Sequence, residues 1–351
     1  MTVISTRFTD AYGVAHPIAQ AGMAFVGMTP DLAVAVCEAG GLGSLGVGLM
    51  PAPALEATIG AIRRGTSLPF NVNFITGLTE QAQVDVACTA QVAVTSFHWG
   101  HPSRAWIDAL HSAGVKVWEQ VGSVDAAKRA VDDGVDLVVA QGEEAGGHNY
   151  GGLPSLALVP LIVDAVAPSL VLAAGGIADG RGLAAALMLG ADGAWIGTRL
   201  VATTESAAHE EYKARLVAAR ATDTVRTHVF GRQTPLFNPM RVLRNQVVAE
   251  WNDRVDEIPA DPASLPVIGH FDLMGQQTEL HKFSNFVPMR DATSGDLDEM
   301  ALLSGQGVGL IDAVRPAAEV IGRMITDAAV IIQSTAARTH ERSGPGGGSD
   351  D

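Results

Sequence analysis

The segment best suited to chemistry is Gln141-Gly-Glu-Glu-Ala-Gly-Gly-His148, where a glycine pair lets the chain turn sharply and presents an imidazole at the end of an apolar run. Histidine exchanges a proton near neutral pH or donates a hydrogen bond to a developing anion, so His148 is the candidate catalytic group. Two other runs also end in glycine: Leu170-Val-Leu-Ala-Ala-Gly-Gly-Ile177, which holds Gly175 and Gly176, and Asp192-Gly-Ala-Trp-Ile-Gly-Thr198. Backbone N–H groups at such turns can point at a phosphate, a following helix N-terminus adds a favourable dipole, and Thr198 adds a hydroxyl donor. Spacing alone leaves open that these glycines only permit tight turns. His98 and His101, in Ser96-Phe-His-Trp-Gly-His-Pro102, lack a third ligand at a recognisable spacing, so His98 reads as pocket lining and no metal is expected.

Other chemistries lack their residues. Glu143 and Glu144 are adjacent and should diverge on a short turn, whereas a glycosidase needs convergent carboxylates. No GxSxG elbow occurs, and neither Cys37 nor Cys88 ends a strand beside a histidine, so nucleophilic hydrolysis is unsupported; both thiols are expected in the core. Gly41-Leu-Gly-Ser-Leu-Gly46 satisfies GxGxxG, but it follows a helix and becomes a strand, the reverse of the dinucleotide-binding context.

The elements that must position these residues alternate regularly. Short apolar runs at 18–21, 42–45, 70–75, 92–97, 115–119, 136–140, 170–174 and 193–197 read as strands, and stretches at 31–39, 54–64, 104–113, 124–133, 154–166 and 180–189 as helices. Eight β-then-α units within the first 200 residues predict an α/β fold of the (β/α)8 TIM-barrel type, with the chemistry at the C-terminal strand ends and phosphate after the seventh and eighth strands. The competing architecture is a doubly wound open sheet. Beyond residue 204 the alternation stops. Helices are expected at 207–219 and 238–252, then an irregular Pro- and Gly-rich stretch, then an amphipathic helix at 317–335 that docks on the barrel. The expected domains are therefore a barrel at 1–203, a smaller, mostly helical C-terminal domain at 204–340 that covers the barrel mouth, and a disordered tail at 341–351.

Of 351 residues, 47% are hydrophobic and 17% charged, which excludes a disordered chain and provides for a sizeable core. A net charge of −15 with no basic run argues against nucleic acid or an anionic membrane as partner. The beginning of the chain lacks a signal-peptide pattern and no apolar run is long enough to span a bilayer, so a cytoplasmic location is the expectation.

With these residues in view, the sequence resembles the nitronate monooxygenase (2-nitropropane dioxygenase-like) family, whose relatives include flavin-dependent enoyl-acyl-carrier-protein reductases. The resemblance runs from about residue 17 to about residue 324. It rests on Pro17-Ile-Ala-Gln-Ala-Gly-Met23, Pro69-Phe-Asn-Val-Asn73, the segment from Gln141 to His148, Ala174-Gly-Gly-Ile177, Gly197-Thr-Arg199 and Ser304-Gly-Gln-Gly-Val-Gly309. It implies an FMN-binding TIM barrel with a smaller helical domain. Carried over by motif, Ala21, Gly22 and Met23 lie against the flavin, and Asn73 and Gln141 hydrogen-bond its polar edge or ribityl chain. Gly146 permits close approach, Gly175, Gly176 and the turn of Trp195, Ile196, Gly197 and Thr198 hold the phosphate, and His148 faces the substrate. Many members have Pro where Gly22 stands, and Gln120 occupies a flavin-side position where NADH:quinone reductase relatives carry Lys. A neutral amide stabilises an anionic reduced flavin less than an ammonium does, which argues against the quinone-reductase activity.

The expected function is FMN-dependent oxidation of alkyl nitronates, or of nitroalkanes, with O2 and a small-molecule substrate as partners; a homodimer is compatible with this. The rivals are an NAD(P)H-dependent flavin reductase of enoyl thioesters or quinones, and a non-redox phosphate-binding barrel isomerase or lyase.

Overall fold

Short apolar runs buried on both faces become strands only where neighbours cover them, and here eight of them join one parallel sheet in the order β1-β9-β8-β6-β5-β4-β3-β2. The computed structural model describes residues 2–149, 151–231, 238–261, 264–273 and 275–337. The strands of this sheet are β1 (Ile18–Gln20), β2 (Gly43–Gly46), β3 (Phe70–Ile75), β4 (Val94–His98), β5 (Lys116–Val121), β6 (Leu137–Gln141), β8 (Leu170–Ala174) and β9 (Gly193–Ile196). A two-residue strand, β7 (Gly147–His148), lies outside it. Helices α2 (Pro30–Glu38), α3 (Ala52–Gly65), α4 (Gln81–Ala90), α5 (Arg104–Ser112), α6 (Val124–Asp132), α7 (Ser155–Val166), α8 (Gly180–Met188) and the one-turn α9 (Thr198–Val201) follow the successive barrel strands.

The sheet closes between β1 and β2, where Ala19 bridges Leu42 and backbone bonds run from Gln20 to Leu42 and from Leu42 to Ile18, each 2.9 Å. Beyond that bridge the Gln20 side chain replaces the missing ladder. Its amide donates to the Ser44 carbonyl at 2.7 Å and accepts from the Ser44 N–H at 3.1 Å. At the N-terminal strand ends, helix α1 (Arg7–Tyr12) plugs the barrel. Phe8 and Tyr12 pack on Trp118, whose indole N–H donates to the Tyr12 hydroxyl at 2.7 Å, and Arg7 pairs with Asp192 just ahead of β9. The architecture is the expected TIM barrel and not an open sheet.

The glycines of Gly41–Gly46 serve packing. A Cβ on Gly43 would strike the Ala33 carbonyl and one on Gly46 the Met23 carbonyl, so small residues let α2 and the turn after β1 approach β2. Cys37 is buried on α2 and Cys88 half-buried on α4, both free.

Past α9 the chain forms α10 (Glu210–Ala218), β10 (Thr224–Thr227), β11 (Met240–Leu243), α11 (Gln246–Trp251), a hairpin of β12 (Val267–Leu273) and β13 (Gln276–His281), β14 (Thr293–Gly295) and α12 (Ala317–Ala336). Two expectations are corrected. The helix expected at 238–252 is strand β11 followed by α11, because Met240 and Val242 are buried by pairing with β10 and β7, and the Asn245 side chain, accepting from Val248 N–H, starts the helix only there. The stretch read as irregular contains the β12–β13 hairpin, so two three-stranded sheets accompany the helices of this region. The final helix α12 packs on the barrel, with Val320, Ile321, Met324 and Ile325 against Leu183 and Ala184 of α8. A Cβ on Gly180 would come within 2.6 Å of Ala328 N, so this approach needs the glycine. The tail expected at 341–351 lies outside the described residues. Among the described residues no helix is long and apolar enough to cross a membrane.

Candidate active site

The C-terminal ends of the barrel strands open into one cavity of about 540 Å³, within the range typical of ligand sites. Its wall includes Ala21, Gly22, Met23, His98, Gln120 and Gln141 from the strand ends, and Gly146, His148, Gly175, Gly176, Trp195, Gly197 and Thr198 from the turns that follow. Two residues expected in the site are placed elsewhere. The side chain of Ile196 packs outward among Leu32, Leu183 and Ile321. Asn73 is buried beneath the first turn, its amide donating to the Ser96 hydroxyl at 2.8 Å, and is not part of the cavity wall. A Cβ on Gly22 would land on the Asn73 amide, so the glycine at this position is what admits an asparagine below it.

The phosphate-type turns depend on backbone that only glycine adopts easily: Gly175 has φ +108° and Gly176 φ +72°. The helix dipole expected to assist them is not available in the simple form anticipated. Helix α8 starts only at Gly180 and its end is already capped by Asp179, whose carboxylate accepts from Arg181 and Gly182 N–H, while α9 is a single turn. The remaining donors are loop N–H groups and the Thr198 hydroxyl, which accepts from Gly305 N–H at 3.0 Å and so keeps its own proton to give.

The loop after β6 is stitched down on both sides. Gln141 donates to the His148 carbonyl at 3.2 Å, and the buried Asn149 amide donates to Gly142 at 3.0 Å. Gly147 and His148 pair antiparallel with Arg241 and Met240 of β11. Glu144 turns away to accept from Ser155 N–H and its hydroxyl at the start of α7. At Gly146 the close approach is that of the chain itself: a Cβ would strike the Ser304–Gly305 backbone, and Gln306 N–H donates to the Glu144 carbonyl at 2.9 Å.

His148 Nε2 is buried and meets no hydrogen-bond partner among the described residues. Desolvation, and then the nearby His98, hold the His148 imidazole well below its usual pKa, so it is neutral at physiological pH. Burial likewise pushes His98 down to about 4, against a partly offsetting hydrogen bond to the Phe74 carbonyl at 3.2 Å. His101 does not join these histidines but lies between Glu119 and Asp133, and among the described residues no cluster of metal-ligating side chains occurs. Among the wall residues that sequence reasoning missed are three aromatic ones, Trp99, Phe25 and Phe286. Trp99 packs against His148 and was signalled only by the Trp-Gly pair after β4. Phe25 and Phe286 meet across the mouth at 4.9 Å, one from the turn after β1 and one from beyond β13, a proximity no local pattern encodes.

The family model "Nitronate monooxygenase" matches residues 5–84 and 74–327. A protein of Staphylococcus saprophyticus named "Probable nitronate monooxygenase" is 33% identical over 305 residues, spanning 74% of this chain and 84% of that one. A Mycobacterium tuberculosis protein named (3aS,4S,5R,7aS)-5-hydroxy-7a-methyl-1-oxo-octahydro-1H-indene-4-carboxyl-CoA dehydrogenase is 31% identical over 95% of this chain and 99% of its own. Among solved structures, FabK from Thermotoga maritima superposes with a TM-score of 0.78 at 34% identity, covering 96% of this chain and 100% of that one. Nitroalkane oxidase from Streptomyces ansochromogenes does so with 0.76 at 28%, covering 93% and 99%.

Proposed function

Because this chain belongs to the nitronate monooxygenase family, an oxidoreductase family with flavin-dependent members, we propose that it oxidises alkyl nitronates with O2, using FMN held in the barrel mouth. The observation that carries this reading is the meeting, around one cavity, of positive-φ glycine turns with a neutral histidine whose Nε2 lacks a partner among the described residues. The wall fits FMN. Gly175, Gly176, Gly197 and Thr198 offer backbone and hydroxyl donors to a phosphate, Ala21, Gly22 and Met23 offer a flat surface to a ring, and Gln120 and Gln141 offer amides to its polar edge. Bound FMN supplies the electron-transfer chemistry between nitronate and O2.

The protein's own contribution is position, proton control and exclusion of water. As the Nε2–H tautomer, neutral His148 donates to a nitro oxygen; as the bare-Nε2 tautomer, it accepts the α-proton of a neutral nitroalkane. Gln141 fixes the His148 backbone, and the apolar wall of Met23, Phe25, Ile75 and Trp99 lowers the local dielectric, which keeps the imidazole neutral and strengthens the hydrogen bond it gives to a nitro oxygen.

Anaerobic mixing tests the proposal. The purified protein is expected to be yellow, with absorbance near roughly 450 nm, and to bleach on addition of a nitronate but not of NADH or NADPH. A colourless protein, or one bleached at once by a nicotinamide and untouched by nitronates, overturns it. The second outcome would instead support a reductase of enoyl thioesters or quinones, the reading favoured by the similarity to FabK, with His148 then protonating the substrate carbon.

A further inference from the structure

The loop after β4 holds strained backbone. Trp99 has φ +60° and is followed by Gly100 at φ +115°, so a bulky side chain occupies left-handed backbone, which is unfavourable for any residue but glycine. Two anchors hold it there. The Thr76 hydroxyl reaches the carbonyls of His98 (3.1 Å) and Gly100 (3.0 Å). His101 spans two carboxylates, Nδ1 at 2.7 Å from Glu119, which is itself buried, and Nε2 at 3.0 Å from Asp133. Arg129 lies 3.7 Å from Glu119 and Arg104 3.4 Å from Asp133, completing the clamp.

The clamped loop delivers an indole against the imidazole of His148, with ring centroids 3.5 Å apart at 85°, and against His98 on its other side at 5.0 Å. Trp99 is part of the cavity wall, so it fills space beside the imidazole whose Nε2 is buried without a partner among the described residues. Any substituent on a substrate carbon that reacts next to His148 must compete with that indole.

We propose that Trp99 is the specificity-determining residue of the pocket: it admits nitronates whose nitro-bearing carbon is unbranched and excludes secondary and cyclic ones. This rests on the nitronate reading above. His101 is a positioning residue that acts through Trp99.

The test compares the isomeric propyl-1-nitronate and propyl-2-nitronate on the holoenzyme. Trp99→Ala should raise the kcat/KM ratio of the secondary over the primary isomer at least tenfold, the discrimination typical of one methylene in a fitted pocket, and Trp99→Phe should fall between it and the parent. His101→Gln, which can bond to only one of the two carboxylates, should move the ratio the same way by about threefold while FMN affinity stays within twofold, a split that general unfolding would not give. A ratio in Trp99→Ala within threefold of the parent overturns the proposal, and if that variant does not fold, Trp99→Phe decides by the same criterion. Should the parent consume no nitronate at all, the functional reading fails separately. Butyrate and 2-methylpropanoate, planar anions with the same branching, then titrate the flavin absorbance. Trp99→Ala must tighten the branched acid relative to the linear one at least tenfold, and an unchanged ratio overturns the role of Trp99.

Discussion

A histidine can act as a base only while neutral, and the surroundings of His148 secure that state, with burial as the larger cause and His98 as the lesser. Replacing His148 by Gln keeps a donor near the Nε2 position and removes the titratable nitrogen. If the imidazole takes the α-proton, activity on a neutral nitroalkane should fall by roughly 10²–10⁴ and activity on the pre-ionised nitronate much less. Equal losses on both substrates would make His148 an anchor for the nitro group and not a base. His98 makes a separate prediction about acid stability. Its folded pKa of about 4 lies below the unfolded value of about 6.5, so the unfolded chain binds the proton more readily and stability is lost as pH falls from above 6.5 towards 4. Between pH 7 and pH 5 this one group should cost about 2 kcal/mol. Urea midpoints of His98→Asn should show correspondingly less acid sensitivity than the parent, and identical slopes would mean that His98 is not neutral in the folded state. At Gly176, φ +72° favours glycine, but a Cβ meets only ordinary contacts with Glu144 at 3.6 Å, and Asn and Asp tolerate this backbone best. Gly176→Asn should therefore fold and keep part of its FMN, whereas Gly176→Asp should purify colourless because its carboxylate faces the phosphate. An Asp variant as yellow as the parent would remove the phosphate from this turn.

At the scale of elements, the barrel strands are legible because they are short apolar runs, buried on both faces, most of them with Gly, Gln or His at or just past the end that meets the cavity; Leu137–Gln141 and Leu170–Ala174 are the plainest cases. The closure is not legible. Nothing in the run Ile18–Gln20 announces that the Gln20 amide will stand in for backbone across the β1–β2 seam, since its partner Ser44 is distant in sequence. Gln20→Leu strands a buried N–H and a buried carbonyl at once. The expected loss is about 3 kcal/mol, from roughly 1–3 kcal/mol for each group, read as a lower urea midpoint. A loss below about 1 kcal/mol would show that water or backbone movement satisfies Ser44 without the amide. The region beyond α9 is hard to read for the same reason that it matters. Met240–Leu243 is too short for periodicity to separate strand from helix, and its pairing with β10 and β7, far away in sequence, decides the matter. That pairing also holds His148, so the least legible strand helps to position the most legible side chain. Val267–Leu273 and Gln276–His281 carry only a weak signal, the buried Phe271 and Leu280 on either side of a turn at Gly275, with φ +83°.

For the molecule as a whole, the cavity is walled both by strand ends and by residues far along the chain. Gly305 bonds to Thr198, Gln306 to Glu144, and the Tyr212 hydroxyl to the Leu303 carbonyl, so a ligand in the mouth touches groups that unfolding would separate. Binding should then stabilise the folded chain by mass action, by about 2.7 kcal/mol at a hundredfold excess over Kd. Riboflavin carries the same ring without the phosphate, so it separates the two halves of the site. At equal concentration it should raise Tm by less than a third of the FMN shift, and equal shifts would mean that the glycine turns do not hold a phosphate. The overall charge adds a kinetic expectation. The chain carries −15, and among the described residues the charged side chains on the cavity wall are Glu279 and Lys282, the latter paired with Glu299 at 3.0 Å, so these form no positive funnel to offset the field that a dianionic ligand meets on approach. The Debye length contracts from about 30 Å at 0.01 M salt to about 8 Å at 0.15 M, screening that repulsion but not the short-range donors in the turns. Association of FMN with the apoprotein, followed by loss of flavin fluorescence, should therefore quicken at least about twofold over this range, while riboflavin association stays constant. If FMN association slows instead, attraction governs the encounter, and the approach to the phosphate turns is positive in spite of the charge of the whole chain.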